Sequence, residues 1–272
     1  MQIVTLNIEG FFRNFYYLCQ VINMFTPKIL FLQEIWVPYC EESALSSKIK
    51  DYTAQISTPD QFIPTEDMLN SVSHTWHGAA IMWHSSLNSN VSNLKNVHDR
   101  FTGVKISLPG RTLLAISAYL PTSGKDDEYL DCVAILSNFI MDNCCDIVLI
   151  GGDFNCSDKA SPRRITALQS LCITLNLHKV HPSEPTFHHP NSQSSSCIDY
   201  FLLSYREGVS LNNIFLQCSQ ETPENLSGHD PVLATLSVQC TQPSKNTARQ
   251  ELYTHTYTEF DRHKVAWDEN NL

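Results

Sequence analysis

The chain has 272 residues, 42% of them hydrophobic, enough to bury a sizeable core without disulfide or metal staples. Its 18 Lys and Arg against 28 Asp and Glu give a formal net charge of −10, which disfavours any protein that grips polyanions by bulk charge. No apolar stretch approaches the ~20 residues of a membrane span, and residues 1–7 lack the basic region of a secretory signal, so the chain is read as intracellular.

In chain order, short strands bounded by turn residues are predicted at 2–8, 29–33, 79–84, 103–108, 112–119, 147–151, 198–204 and 232–238. Helices are predicted at 11–25, at 127–141, where an acidic start suits the helix dipole, and at 163–175, opened by Ser161 as cap and Pro162 in the first turn. Strands outnumber helices and the helices come singly, which points to two mixed sheets packed face to face with helices outside. One domain is expected over residues 1–240. A polar linker or tail, 241–272, follows with too little apolar mass for a domain of its own.

Ten cysteines do not imply a disulfide framework here. Cys144 and Cys145 are adjacent, several others lie in apolar runs, and no Cys-x-x-Cys occurs, so reduced and mostly buried thiols are expected. His178, His181, His188 and His189 lie in a loop rich in Pro, Ser and Asn and are not expected to hold a metal.

The polar residues at strand ends carry the chemistry. Residues 147–150 are apolar and run into Gly151-Gly152-Asp153-Phe154-Asn155. In a strand, side chains at i and i+2 share a face, so Asp153 and Asn155 converge on one spot, while the glycines permit close backbone approach. Asn7 closes the first strand and Gln33-Glu34 the second, after four apolar residues. A carboxylate emerging from a buried strand beside Trp36 needs a partner. A divalent cation suits it, because Mg²⁺ sites use one or two carboxylates plus water and substrate phosphate. Tyr119 ends another apolar run. Asp199 is a charge within the apolar strand 198–204, and His229, just before the last strand, is its obvious partner. An Asp holding a His fixes its tautomer and favours the imidazolium, which can contact a phosphate oxygen. Each residue alone also has a plain structural reading, as a turn cap, a packed Tyr or a core His–Asp pair.

In their order along the chain, Asn7, Glu34, Tyr119, Asp153 with Asn155, Asp199 and His229 resemble the site residues of the endonuclease/exonuclease/phosphatase superfamily, which includes deoxyribonuclease I. The most specific pieces are Leu32-Gln33-Glu34, Gly152-Asp153-Phe154-Asn155, Ile198-Asp199-Tyr200-Phe201 and Ser227-Gly228-His229-Asp230-Pro231. Within the superfamily the likeness is strongest to the endonuclease domain of non-LTR retrotransposons, through Ala118-Tyr119-Leu120-Pro121 and through Thr186-Phe187 before a Ser-rich run.

The resemblance implies a four-layered α/β sandwich and a metal-dependent phosphodiesterase, with Mg²⁺, or Mn²⁺ in its place, as cofactor. Glu34 and Asn7 would serve the metal, Asp153 and Asn155 the attacking water, Tyr119 the phosphate, and His229 with Asp199 the developing charge. It also implies a DNA substrate nicked on one strand, a reverse transcriptase domain elsewhere in a longer polyprotein, and nuclear action on chromosomal DNA. Lys159, Arg163 and Arg164 follow Asn155 closely enough to touch a flanking phosphate strand. One position departs from the pattern: relatives have Asp before the histidine where this chain has Gly228, and Asp230, two residues on, would replace it if the segment is extended. A phosphoinositide or other phosphoester phosphatase and a catalytically degenerate binding module remain open as alternatives.

Overall fold

A computed structural model describes residues 1–61, 77–189, 194–204, 206–216 and 224–239; the tail assigned to 241–272 lies outside these. In chain order the elements are β1 (Gln2–Asn7), α1 (Phe15–Phe25), β2 (Ile29–Gln33), α2 (Glu42–Lys48), β3 (Tyr52–Ser57), β4 (Ala79–His84), β5 (Val91–Asn93), β6 (Phe101–Leu108), β7 (Arg111–Tyr119), α3 (Asp126–Asp142), β8 (Ile147–Asp153), α4 (Pro162–Thr174), β9 (Leu177–Val180), β10 (Phe187–His188), β11 (Ser195–Ser196), β12 (Asp199–Ser204), β13 (Val209–Leu216) and β14 (Val232–Val238).

The strands form two six-stranded sheets, ordered β13-β14-β1-β2-β4-β3 and β5-β6-β7-β8-β12-β9, and β10 pairs with β11 in a small ribbon. Each sheet has one parallel pair with antiparallel neighbours. β1 and β2 are joined through α1, and β7 and β8 through α3. A parallel pair needs such a crossover, and the crossover leaves a helix on the sheet's outer face.

The core has three layers. Ile3, Ile29, Phe31, Leu113, Leu149 and Phe201 meet between the sheets. Val4, Leu6, Leu30 and Leu32 alternate with these along the strands and pack against Leu18 and Val21 of α1. On the far side Leu114, Ile116, Ile150 and Leu202 meet Leu136 of α3 and Leu168 of α4. The architecture is therefore the two mixed sheets with outer helices anticipated from the strand pattern.

The paired glycines are steric necessities. A side chain on Gly151 would run into the Phe31 ring of the facing sheet, and one on Gly152 would collide with the backbone carbonyl of Ala118. A thread of polar groups joins the sheets below the site: Gln33 Nε2 donates to Ser117 Oγ at 3.0 Å, and that hydroxyl donates to Leu32 O at 2.9 Å.

Several boundaries differ from expectation. α1 begins at Phe15 rather than residue 11, because Asn14 is committed elsewhere: its side chain donates to Ile8 O at 2.7 Å and accepts from Leu226 N at 2.9 Å. β8 runs on to Asp153, and β3, β5, β9 and β13 were not anticipated. The eight described cysteines are free thiols. No helix among the described residues is long and apolar enough to cross a membrane.

Candidate active site

The site forms where both parallel pairs end. Asn7 closes β1 with Glu34 just beyond β2, while Tyr119 and Asp153 are paired last residues of β7 and β8, and Asp199 opens β12 opposite Asp153. At the site the Asn7 amide bridges the sheets. Asn7 Nδ2 donates to Glu34 Oε1 at 2.9 Å and to Asp153 Oδ2 at 3.1 Å. Its Oδ1 accepts from Glu9 N at 3.2 Å. The amide cannot be turned over, since its oxygen would then face two carboxylate oxygens. Asn7 was expected among the metal ligands, but it presents N–H groups, not oxygen, to the acids and so orients them.

Asp153 is buried, with Asn155 holding it from both backbone and side chain: Asn155 N donates to Oδ1 at 2.9 Å and Nδ2 to Oδ2 at 3.2 Å. Burial and then the nearby Asp199 charge push the Asp153 pKa up, against the pull of His229 and the donated hydrogen bonds. Asp199 is completely buried. Thr186 Oγ1 donates to its Oδ2 at 2.7 Å, and His229 Nδ1 lies 3.0 Å from the same oxygen. The other ring nitrogen, Nε2, stands 4.0 Å from Asp153 Oδ2. Burial alone would lower the His229 pKa, but the Asp199 charge and hydrogen bond, with smaller help from Asp153 and Glu34, raise it to about 9. The Asp199 carboxylate thus favours the charged form of the ring. Phe187 packs on it with ring centroids 4.6 Å apart.

Glu34 is half-buried, and Trp36 Nε1 donates to its Oε2 at 3.2 Å. Tyr119 bonds it as well, and burial followed by the Glu34 and Asp153 charges pushes that phenol's pKa up, so Tyr119 remains a donor. Both Glu34 and Asn155 adopt positive φ, 50° and 46°, a region that Asn tolerates but that disfavours Glu. Such strain persists only where the surroundings impose it.

Two groups of ligands present themselves for a divalent cation. Asp153, Asp199 and His229 bring ligand atoms within 4.8 Å of one another. That triad suits Mg²⁺ less well, because imidazole is a softer ligand than carboxylate oxygen and Asp199 already serves Thr186 and His229. Glu34 fits Mg²⁺ better: it offers hard oxygens, keeps lone pairs beyond those its present donors use, and is the least buried of the three acids.

Sequence reasoning missed several contributors. Glu9 Oε2 accepts from Gly228 N at 3.1 Å, so a carboxylate arrives at the position that lacks one. The Asn7-x-Glu9 spacing was the available signal. Arg100 is buried with its guanidinium carbon 5.1 Å from the Tyr119 ring centroid, and its Nη1 finds no hydrogen-bond partner among the described residues. Asp230, placed near the acids by the extended-segment argument, is buried and engages a histidine. Its Oδ2 lies 3.1 Å from His188 Nε2.

The three cations expected at the substrate part company. Lys159 is exposed; Arg163 is exposed but paired with Asp127 at 2.7 Å. Arg164 is 2% exposed, at the edge of the cleft that Lys159 and Arg163 also line. Its guanidinium is consumed by Asp126 and by the carbonyls of Pro121, Thr122 and Asn155. A polar cleft of about 610 Å³ runs from Asn155 past Lys159 and Arg163 on one wall and Phe187 and Ile198 on the other.

Comparison with solved structures finds the same fold at low sequence identity. An AP endonuclease from Leishmania major superposes with a TM-score of 0.65 at 12% identity, covering 88% of this chain and 87% of that one. A 3′ phosphatase from Neisseria, solved with product DNA hairpin, gives 0.65 at 19%, covering 86% and 98%. The endonuclease domain of TRAS1, a telomere-specific non-LTR retrotransposon, gives 0.61 at 14%, covering 88% and 99%. No curated protein matches by sequence. The sequence does match the Endonuclease/Exonuclease/phosphatase family over residues 4–213, more than half of its length, and the chain belongs to that family.

Proposed function

We propose that the chain is a Mg²⁺-dependent phosphodiesterase that nicks one strand of DNA, in the manner of a retrotransposon endonuclease. The observation that carries this reading is the placement of the His229 imidazolium, held by Asp199, across 4.0 Å from Asp153, with Asn7 tying Asp153 to Glu34.

Phosphodiester hydrolysis needs a nucleophile generated near neutral pH and donors for charge building on the phosphoryl oxygens. Asp153 is the base. Its raised pKa makes it a better proton acceptor than an ordinary carboxylate, and Asn155 and Asn7 fix the oxygen that receives the water's proton. His229 donates from Nε2 to a phosphoryl oxygen, and Tyr119 from its hydroxyl. Arg100 adds a cation with an unused N–H group. A divalent cation held by Glu34, when bound, supplies Lewis-acid stabilisation of the same charge. Lys159, and Arg163 once it leaves Asp127, bind the flanking strand. The substrate places the enzyme's work in the nucleus and suits a chain that carries a reverse transcriptase elsewhere.

The formal charge of −10 favours a second reading, a phosphatase acting on a compact phosphoester such as an inositol lipid, which demands fewer cations than a long polyanion. Incubating the protein with supercoiled plasmid and, separately, with inositol lipids, each with Mg²⁺ or with EDTA, separates the two. Mg²⁺-dependent conversion of supercoiled to nicked circles supports the endonuclease. Phosphate release without nicking supports the second reading, and activity that survives EDTA contradicts both.

A further inference from the structure

We propose that Arg164 is a positioning residue for the active site, a buried clamp that holds the turn after β7 and the turn after β8 in one fixed relation. The proposal rests on the phosphodiesterase reading for its catalytic consequence, though not for the clamp itself.

The bonds are distributed in an unusual way. Nη1 donates to Pro121 O at 2.9 Å and to Asn155 O at 3.1 Å, and Nη2 donates to Thr122 O. Nε donates to Asp126 Oδ1 at 2.6 Å, while Asp126 Oδ2 accepts from the Ser161 hydroxyl at 2.7 Å. The guanidinium carbon stands 4.6 Å from the Tyr129 ring centroid. One side chain thus ties the starts of α3 and α4 to both turns that emerge from the parallel pair β7/β8. Pro121 and Thr122 follow Tyr119 by two and three residues, and Asn155 is the residue that grips Asp153.

The clamp works on groups already in register. Leu120 N donates to Asp153 O at 2.9 Å, and Asn155 Nδ2 donates to Leu120 O at 2.9 Å. These bonds align the turns, and Asn155 sits among them at a φ of 46°, a left-handed conformation that Asn adopts more readily than most residues. The bond from Arg164 to the Asn155 carbonyl fixes that turn, and with it the aim of Asn155 N and Nδ2 at the Asp153 carboxylate. Only a planar fork with several fixed N–H directions reaches three carbonyls and a carboxylate together; a lysine ammonium donates from a single point. The donors of Arg164 are already given to Asp126 and to the three carbonyls, which leaves the guanidinium committed within the protein.

The test compares Arg164→Lys with Leu136→Ala, a core truncation on α3 that touches none of these bonds. Two quantities are read: hydrogen exchange at the Leu120 and Asn155 amides, and kcat and KM for bis(p-nitrophenyl) phosphate with Mg²⁺. In Arg164→Lys, exchange protection at both amides falls by about tenfold or more, and kcat falls by about 10- to 100-fold with KM little changed, as expected from a misplaced base. Leu136→Ala, at comparable loss of melting temperature, keeps both near the parent. Unaltered exchange and kcat in Arg164→Lys, or equal losses in Leu136→Ala, overturn the proposal. Should Arg164→Lys fail to fold, Asp126→Asn decides: it keeps the guanidinium and weakens its anchor, so the two amides must lose protection ahead of amides in β1. A parent without phosphodiesterase activity refutes the functional reading, while the exchange measurements still decide the clamp.

Discussion

His229 and Asp153 face one another with 4.0 Å between Nε2 and Oδ2, too far for a hydrogen bond and close enough for both to reach one phosphoryl group and its attacking water. Asp199 holds the imidazole from behind through Nδ1, so Nε2 is the ring nitrogen turned to that gap.

The Asp199–His229 pair gives a pH signature. In the metal-free protein the His229 pKa is raised to about 9, above the ordinary value of about 6.5. The stabilisation from the pair is therefore fully present below about pH 6.5 and is lost as pH climbs through about 9. If the imidazolium is the donor, the alkaline limb of the kcat/KM profile also falls near 9. Asp199→Asn moves that limb down towards 6.5 and lowers kcat by about 10²–10⁴-fold. A limb that does not move in the variant removes His229 from the reaction.

Glu34 is the expected cation ligand. Glu34→Gln keeps the shape of the side chain and removes its charge, so calorimetric titration with Mg²⁺ shows binding weakened by about tenfold or more, while the fold survives. Asp230→Asn serves as the contrast. Because Asp230 is turned towards His188, its neutralisation leaves the Mg²⁺ titration unchanged. Equal losses in both variants contradict the assignment.

Gly152→Ala tests the close approach at the heart of the second sheet. A methyl group there meets the Ala118 carbonyl, which is backbone and cannot swing aside. Overpacking of this kind costs about 1–3 kcal/mol or more, read as a lower urea midpoint at unchanged m. A midpoint within error of the parent means that the two strands are less closely apposed than described.

The cations near the cleft separate by salt dependence. Lys159→Ala and Arg163→Ala each lower the slope of log K against log salt for DNA by up to about one. The Arg164 substitutions leave that slope alone, since the side chain is shielded.

How much the sequence showed depended on where the determining contacts lie. Strands with unbroken apolar runs, such as β2 and β8, were plain because burial on both faces selects such runs. β13 was not, and the reason is visible in its residues. Val209 and Leu211 keep one phase and Ile214 and Leu216 the other, with a register shift between Asn212 and Phe215, so no single alternation spans the strand. Within the site, Asp153 and Glu34 stood out because charges at the ends of apolar strands need an explanation. Arg164 reads in sequence as a cation for a flanking phosphate strand, and only the carbonyls of Pro121, Thr122 and Asn155, brought to it by folding, show it as a buried residue. Glu9 was hidden because its partner, Gly228 N, is 219 residues away.

The most direct test is plasmid nicking by the parent and by His229→Ala at equal concentration in Mg²⁺. The account predicts that the parent converts supercoiled DNA to nicked circles and that the variant, equally folded by circular dichroism, is slower by about 10²-fold or more. A folded His229→Ala protein that nicks as fast as the parent contradicts it.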